Sequence, residues 1–398
     1  MSQTTPEQTA WSRHVAADLQ RLAASHLYRR RRTFDPVDAT HVRWNDRTLV
    51  NFASNNYLGL SHHPAVRAAV ERAVSQSGFG SGAAPLISGY SVAHSSAEKA
   101  IAQWKRTEAA VLLPSGYQAN VAAIQTCAAI GKLGGGVRFL VDKLAHASLI
   151  DAIRGTGQPF RVFPHQHLGK LKRLLEEADA GELQVVVTES IFSMDGDAVD
   201  LDGICQLRNR YGFLLVLDEA HATGVYGPNG SGLTNELGLR EHVDVSTITL
   251  SKALGGIGGA VCGAALFCDA LVNYGRAYLF STAVPPAVAA AGEAAIDVLL
   301  SEPARQARLR KNALWVRQKL HEMSLNIPPG DSPIIPIILE EERKAIAASE
   351  KMMEAGFLVP PIRPPTVPRG STRLRITLSS EHTMDEIESL VRALACLA

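Results

Sequence analysis

Short, nearly unbroken apolar runs recur along this chain, separated by segments whose apolar positions repeat with helical spacing, a pattern that predicts alternating strands and helices. The runs are Ala109–Leu113, Phe139–Val141, Gln184–Thr188, Phe213–Leu217, Val245–Leu250 and Ala260–Phe267. Runs of this kind are buried on both faces, as in a mainly parallel sheet covered by helices. Helices are expected over Ala10–Arg32, Pro64–Ser77, Ala97–Arg106 and, as one long stretch, Pro286–Met323. Short strands are expected within Thr40–Phe52, around the turn-like Trp44-Asn45-Asp46-Arg47. Past Val284-Pro285-Pro286 the character changes, to a strand-like Ile334–Leu339, a helix to Ala355, the proline-rich Pro360–Pro368 and a final strand and helix. The expected organisation is α/β: an amino-terminal helix and short strands over 1–50, a large domain over 51–288 and a smaller carboxyl-terminal α+β domain over 289–398.

Composition narrows the function classes. The 398 residues are 46% hydrophobic and 20% charged, enough to build one or two ordinary cores. Forty basic against thirty-nine acidic residues leave a formal net charge of +1, which argues against a nucleic-acid or anionic-membrane binder. The local exception is Arg29–Arg32. Five scattered cysteines without a C-x-x-C pair suit a reducing compartment and argue against a zinc site, so a cytoplasmic protein without a metal is expected. Met1–Glu7 lacks the pattern of a signal peptide, and no apolar stretch approaches the ~20 residues that span a bilayer. Gly78-Phe79-Gly80-Ser81-Gly82-Ala83 superficially fits a dinucleotide fingerprint, but it follows a predicted helix where that turn requires a strand. No Walker A pattern is present, and His62-His63 and His165-Gln166-His167 lack a matching set of metal ligands.

In an open α/β sheet, ligands sit beyond the carboxyl ends of the strands, so polar residues that directly follow apolar runs are the first candidates. Phe213–Leu217 runs into Asp218-Glu219-Ala220-His221, Thr247–Leu250 into Ser251-Lys252, and Gln184–Val187 into Thr188-Glu189-Ser190 and then Ser193-Met194-Asp195-Gly196-Asp197. Singly, Asp218 also reads as a helix N-cap, His221 as a core histidine and Lys252 as a surface lysine. Together they are the parts that pyridoxal phosphate requires: a lysine to form a Schiff base and an aspartate to keep the pyridine nitrogen protonated. Ser115-Gly116-Tyr117-Gln118-Ala119-Asn120, at a strand-to-helix turn, offers backbone N–H groups to a phosphate.

At these residues the sequence resembles the α-oxoamine synthases, fold-type I pyridoxal-phosphate enzymes that condense an amino acid with an acyl thioester and lose CO2. The likeness covers nearly the whole chain. It includes Asn51–Leu60, Ser88-Gly89-Tyr90 with His94, His146 with Ser148, Phe192–Asp197, Asp218–Gly224 and Ser251-Lys252. The resemblance implies a large domain with a mainly parallel seven-stranded sheet and a smaller carboxyl-terminal domain. It implies Lys252 as the Schiff-base lysine, Asp218 as the partner of the pyridine nitrogen, and His221 and Ser193 near the cofactor's phenolic oxygen. It further implies His146 stacked on the ring and handling the thioester carbonyl, with Thr249, Gly116 and Tyr117 in phosphate and ring contacts. Ser281-Thr282 would reach the phosphate of the neighbouring subunit, which implies a homodimer with shared active sites.

The carboxyl-terminal segment Ile362-Arg363-Pro364-Pro365-Thr366-Val367-Pro368, followed by Arg373-Leu374-Arg375-Ile376-Thr377, is similar to that of the biotin-pathway member. That member joins L-alanine to a pimeloyl group carried on coenzyme A (pimeloyl-CoA) or on a carrier protein. By the same resemblance Arg375 would hold the amino acid's carboxylate, and Arg29, Arg363 and Thr366 would lie near the acyl substrate. The rival within the family is a member using glycine or serine with a different acyl chain. The chain departs from the family pattern at Pro85, where an arginine is usual, and at Gln166-His167, where Asn-Asp is usual. Proline supplies neither that charge nor an N–H.

Overall fold

Seven strands form the central sheet, in the spatial order Ala109–Leu113, Gly259–Gly263, Val245–Thr249, Leu214–Asp218, Leu183–Glu189, Val137–Asp142 and Phe160–Phe163. All run parallel except Gly259–Gly263, which is antiparallel to both of its neighbours. The computed structural model describes residues 9–397, so the Met1–Glu7 segment assessed above lies outside the described residues.

Alternation along the strands divides the core into two layers, because successive side chains point to opposite faces. Val111, Val141, Val187, Val216, Val245 and Val261 pack under the helices Gly116–Lys132, Ala147–Thr156 and Ala265–Tyr274. Leu112, Leu140, Val186, Leu215, Ile248 and Cys262 join the opposite cluster, with residues of the helices Pro64–Ser77, Val92–Lys105 and Pro286–Ser301. Each fully buried aliphatic side chain contributes about 1.5–3 kcal/mol. Two smaller sheets flank this body. One pairs Asp35–Pro36, His41–Trp44, Arg47–Asn51 and Phe357–Leu358; the other pairs Ile334–Glu340, Thr372–Thr377 and Pro361–Ile362.

The helix Pro64–Ser77 and the hairpin within Thr40–Phe52 stand where the pattern puts them. Four elements differ. The amino-terminal helix stops at Ala24 rather than Arg32; it buries no residue, and the chain leaves it through His26 at φ +57°. The apolar run Ala260–Phe267 is a strand only to Gly263. Ala264 turns the chain, and the remaining apolar residues open the helix Ala265–Tyr274, an ambiguity inherent in short apolar runs. The stretch Pro286–Met323 is two helices, Pro286–Ser301 and Ala304–Glu322, because Pro303 cannot continue the first. The third helix begins at Val92, where Ser91 and His94 form a capping box, and not at Ala97. The strand Phe160–Phe163 escapes the apolar-run criterion because it lies at the sheet edge with only Phe163 buried.

Candidate active site

Parallel strands deliver their carboxyl ends to one side of the sheet, and there a cavity of about 210 Å³ is lined by Gly116, His146, Glu189, Asp218, His221 and Lys252 among others. Asp218 is the last residue of its strand, and Lys252 follows the neighbouring strand across a hairpin closed by the Thr249–Gly259 pair. The larger groove, about 930 Å³ between Arg106, Leu133, Asp244 and Tyr274, lies at the opposite ends of the strands and contains none of the residues singled out above.

The Asp218 carboxylate, 6% exposed, is oriented by two donors: Ala220 N–H at 2.8 Å on Oδ1 and Asn120 Nδ2 at 2.7 Å on Oδ2. Asn120 is itself held by Thr247 Oγ1, which donates to its Oδ1 at 2.6 Å. It also donates to Ser148 Oγ at 2.8 Å, which lies 2.7 Å from His146 Nδ1. One buried amide thus ties together the aspartate, the His146 loop and the strand leading to Lys252. Asn120 has no signal in the sequence beyond its place in the Ser115–Asn120 turn, since buried amides look like any other polar residue there.

Lys252 Nζ lies 2.8 Å from His221 Nε2, and His221 Nδ1 lies 2.6 Å from the hydroxyl of Tyr57. Burial pushes the Lys252 amine down to about 8, with Asp218 and Glu189 opposing the shift and Arg375 adding to it. Burial, with the nearby Lys252 and Arg375 charges, holds His221 well below its ordinary value, so it is neutral. His146 at the cavity rim is also lowered, chiefly because protein replaces water around the ring; Asp218 opposes this and Lys252 adds to it. Glu189 is the register partner of Asp218, and burial together with that neighbouring charge raises it well above the carboxylate range. Arg375 is buried and donates from Nε to Ser193 O at 2.7 Å and from Nη1 to Asn55 Oδ1 at 3.2 Å and Thr377 Oγ1 at 2.8 Å.

The helix Gly116–Lys132 points its amino terminus into the cavity. Ser115 caps it by accepting from Gln118 N at 3.1 Å, and helix geometry leaves the Gly116 and Tyr117 N–H groups without an intrahelical partner. A Cβ on Gly116 would stand 3.0 Å from Thr249 Cβ, and one on Gly259 would come within 2.6 Å of Gly116, so both glycines keep the cradle open. An oriented buried carboxylate, a lysine of lowered pKa and an anion-ready helix terminus are the donor set that pyridoxal phosphate needs, and the residues fit it.

Of the other candidates, Tyr117 is partly exposed, with its hydroxyl on Asp151 Oδ2 at 2.9 Å. Ser193 offers its carbonyl to Arg375. Ser281 lies at the same helix end, 3.2 Å from Gln118 Nε2, and Thr282 lies beside it on the surface. Arg29, Arg363 and Thr366 are not brought to the cavity within one chain. Arg29 donates to Pro364 O at 3.0 Å and Arg363 to His26 O, while Thr366 N–H donates to Arg363 O at 3.1 Å on an exposed loop. Among the described residues there is no cluster suited to a metal ion. At the departure Gln166-His167, the Gln166 amide donates to Asp197 Oδ2 at 2.6 Å, and His167 caps the helix Leu168–Glu176. His165, just before them, bridges Asp142 and Asp197 at 3.0 and 2.9 Å, and the two carboxylates outweigh its burial to raise it to about 10.

The description "Aminotransferase class I and II" matches residues 47–394. The 8-amino-7-oxononanoate synthase of Geobacter sulfurreducens is 38% identical over 386 residues, 96% of this chain and 97% of that one. Among solved structures, Sphingomonas wittichii serine palmitoyltransferase superposes with a TM-score of 0.90 at 28% identity, covering 98% of both chains. The 8-amino-7-oxononanoate synthase of Francisella tularensis gives 0.76 at 27% identity, over 88% of this chain and 97% of that one. The chain therefore belongs to the class I and II aminotransferase family of fold-type I pyridoxal-phosphate enzymes, and within it to the α-oxoamine synthases.

Proposed function

We propose that the chain joins L-alanine to a pimeloyl thioester, carried on coenzyme A or a carrier protein, and releases CO2 and the free thiol to leave 8-amino-7-oxononanoate. The observation that carries the chemistry is the convergence of Asp218, His221, Lys252 and His146 on one cavity, with Arg375 anchored beside it, and the choice of alanine and a pimeloyl group is supported by the relatives named 8-amino-7-oxononanoate synthase. Pyridoxal phosphate, when bound, supplies an aldehyde for the amino group and a protonated ring that draws electron density from the α-carbon. Lys252 holds the cofactor between turnovers and, with its amine near 8, takes and returns the α-proton at Nζ. Asp218, kept in place by Asn120 and Ala220, holds the proton on the ring nitrogen.

His146, lining the cavity, would lie against the ring and orient the thioester carbonyl, while His221 and Ser193 would serve the phenolic oxygen. Gly116, Tyr117 and Thr249, which line the cavity at the helix amino terminus, would hold the phosphate and ring edge. Arg375 orients the amino acid's carboxylate, a charge-assisted contact. Arg29, Arg363 and Thr366, gathered outside the cavity, serve the acyl chain. Ser281 and Thr282 reach the neighbouring subunit's phosphate in a homodimer that works in the cytoplasm. The expected boundary near residue 289 falls inside the helix Pro286–Ser301, which packs with Pro64–Ser77 and Val92–Lys105 on the central sheet, so the carboxyl-terminal domain is better begun after Ser301.

The 0.90 superposition on a serine palmitoyltransferase favours, as the second reading, a family member that takes serine with a longer acyl chain. Thiol release from a panel of acyl thioesters, each offered with alanine, glycine or serine, separates the two. The expected result is turnover with alanine and pimeloyl thioester above all other pairs. A clear preference for glycine or serine overturns the assignment and leaves the family intact.

A further inference from the structure

We propose that Tyr57 is a positioning residue that fixes the tautomer of His221, so that His221 turns an Nε2–H toward the reacting end of the cavity. The proposal rests on the reading of Lys252 and His221 given above, and adds a residue to which that reading gives no part.

Tyr57 is fully buried, and its hydroxyl lies 2.6 Å from His221 Nδ1, while His221 Nε2 lies 2.8 Å from Lys252 Nζ. A neutral imidazole carries one N–H, so one of its two nitrogens must accept. The phenol has two acceptors within reach: His221 Nδ1 at 2.6 Å and Asn55 Oδ1 at 3.4 Å. Asn55 Oδ1 is already engaged by Arg375 Nη1 at 3.2 Å. With the Lys252 amine uncharged, and so able to accept at Nζ, the short contact takes the phenolic proton, Nδ1 accepts it, and the imidazole proton resides on Nε2. Burial pushes the phenol up to about 12, so it stays a donor across the working range.

The mount of Tyr57 is rigid enough for this task. Its carbonyl accepts from Ser380 N at 2.7 Å, its N–H donates to Asn55 O at 2.8 Å, and the Asn56 carbonyl accepts from Ser379 Oγ at 3.0 Å. The loop is thus pinned to the segment that follows the Arg375 strand. A change at either end is felt by the same hydroxyl.

The test uses protein labelled with 15N in its 13 histidines, with pyridoxal phosphate loaded. The His221→Gln variant identifies the His221 resonances. The expected spectrum of the unaltered protein shows His221 protonated at Nε2 and accepting at Nδ1. Tyr57→Phe is expected to shift His221 toward the other tautomer and lower kcat roughly tenfold, with KM for the amino acid little changed, as loss of one hydrogen bond predicts. Nδ1 protonation in the unaltered protein overturns the proposal, and so does an unchanged tautomer in folded Tyr57→Phe. If the variant fails to fold, the unaltered protein alone decides. Cofactor loading, read from visible absorption of the same sample, tests the functional reading separately. Cofactor-free protein, measured above the Lys252 value of about 8, reports the tautomer even where that reading fails.

Discussion

Two carboxyls stand side by side at neighbouring strand ends and meet different fates. Asp218 receives two donors, whereas Glu189 Oε1 is buried with no partner, and burial beside Asp218 sets Glu189 up to take a proton. Asp218→Asn should still bind cofactor but slow exchange of alanine's α-hydrogen with solvent at least ~100-fold, because a neutral amide cannot keep the ring nitrogen protonated. Exchange by mass spectrometry near the unaltered rate would show another role for Asp218. His165 gives a prediction about stability. Its pKa rises from 6.5 to about 10 on folding, so the stability it adds is complete below about 6.5 and is lost as pH climbs through about 10. His165→Gln should flatten the fall in melting temperature across that window and change it least at the alkaline end. Asp218 is legible in the sequence because it directly follows an apolar run, and Lys252 and His221 because they stand two and four residues beyond one. Glu189 stands at such a strand end too, but its role, like those of Asn120 and Tyr57, is set by a partner some 30 to 160 residues away, which the sequence does not show.

Elements position these residues through contacts that periodicity does not encode. The chain after Asp218 is clamped by Lys105, whose Nζ lies 2.6 Å from Glu219 Oε2 with both side chains fully buried. Glu219 also accepts from the Thr234 N–H at 3.1 Å, which fixes the return of the loop. Lys105→Met leaves a buried carboxylate without its cation, and urea unfolding should show a loss of about 3–5 kcal/mol. Replacing both residues with apolar ones of similar volume should recover much of that loss. The helix over Pro64–Ser77 is legible because a proline at its start and a glycine after its end punctuate it. The amino-terminal segment is less so, since Ala10–Ala24 buries nothing and the Arg29–Arg32 cluster beyond it carries no periodic signal of its own.

At the scale of the whole molecule, the end of the sheet that holds the cavity carries large apolar side chains in the open. Ile87 is 81% exposed, Phe280 73% and Ile257 59%, on segments that adjoin the Ser281 and Lys252 loops. Exposed apolar side chains of this size are what the proposed homodimer would cover. Sedimentation of the unaltered protein should give a dimer, and Ile87→Asp with Phe280→Asp should give a monomer that holds cofactor weakly; a doubly substituted protein that stays dimeric places the interface elsewhere. The lone antiparallel strand has its own consequence. Lys252 rides a loop whose two legs are adjacent strands, sealed by the Leu250 N–H on Gly258 O at 3.0 Å, while Asp218 and Glu189 each end a strand with a single leg. A circular permutation that opens the chain between Gly255 and Gly256 would free one leg and let the lysine swing, whereas new termini at Leu133–Gly136, on the far side of the sheet, would leave every strand end where it is.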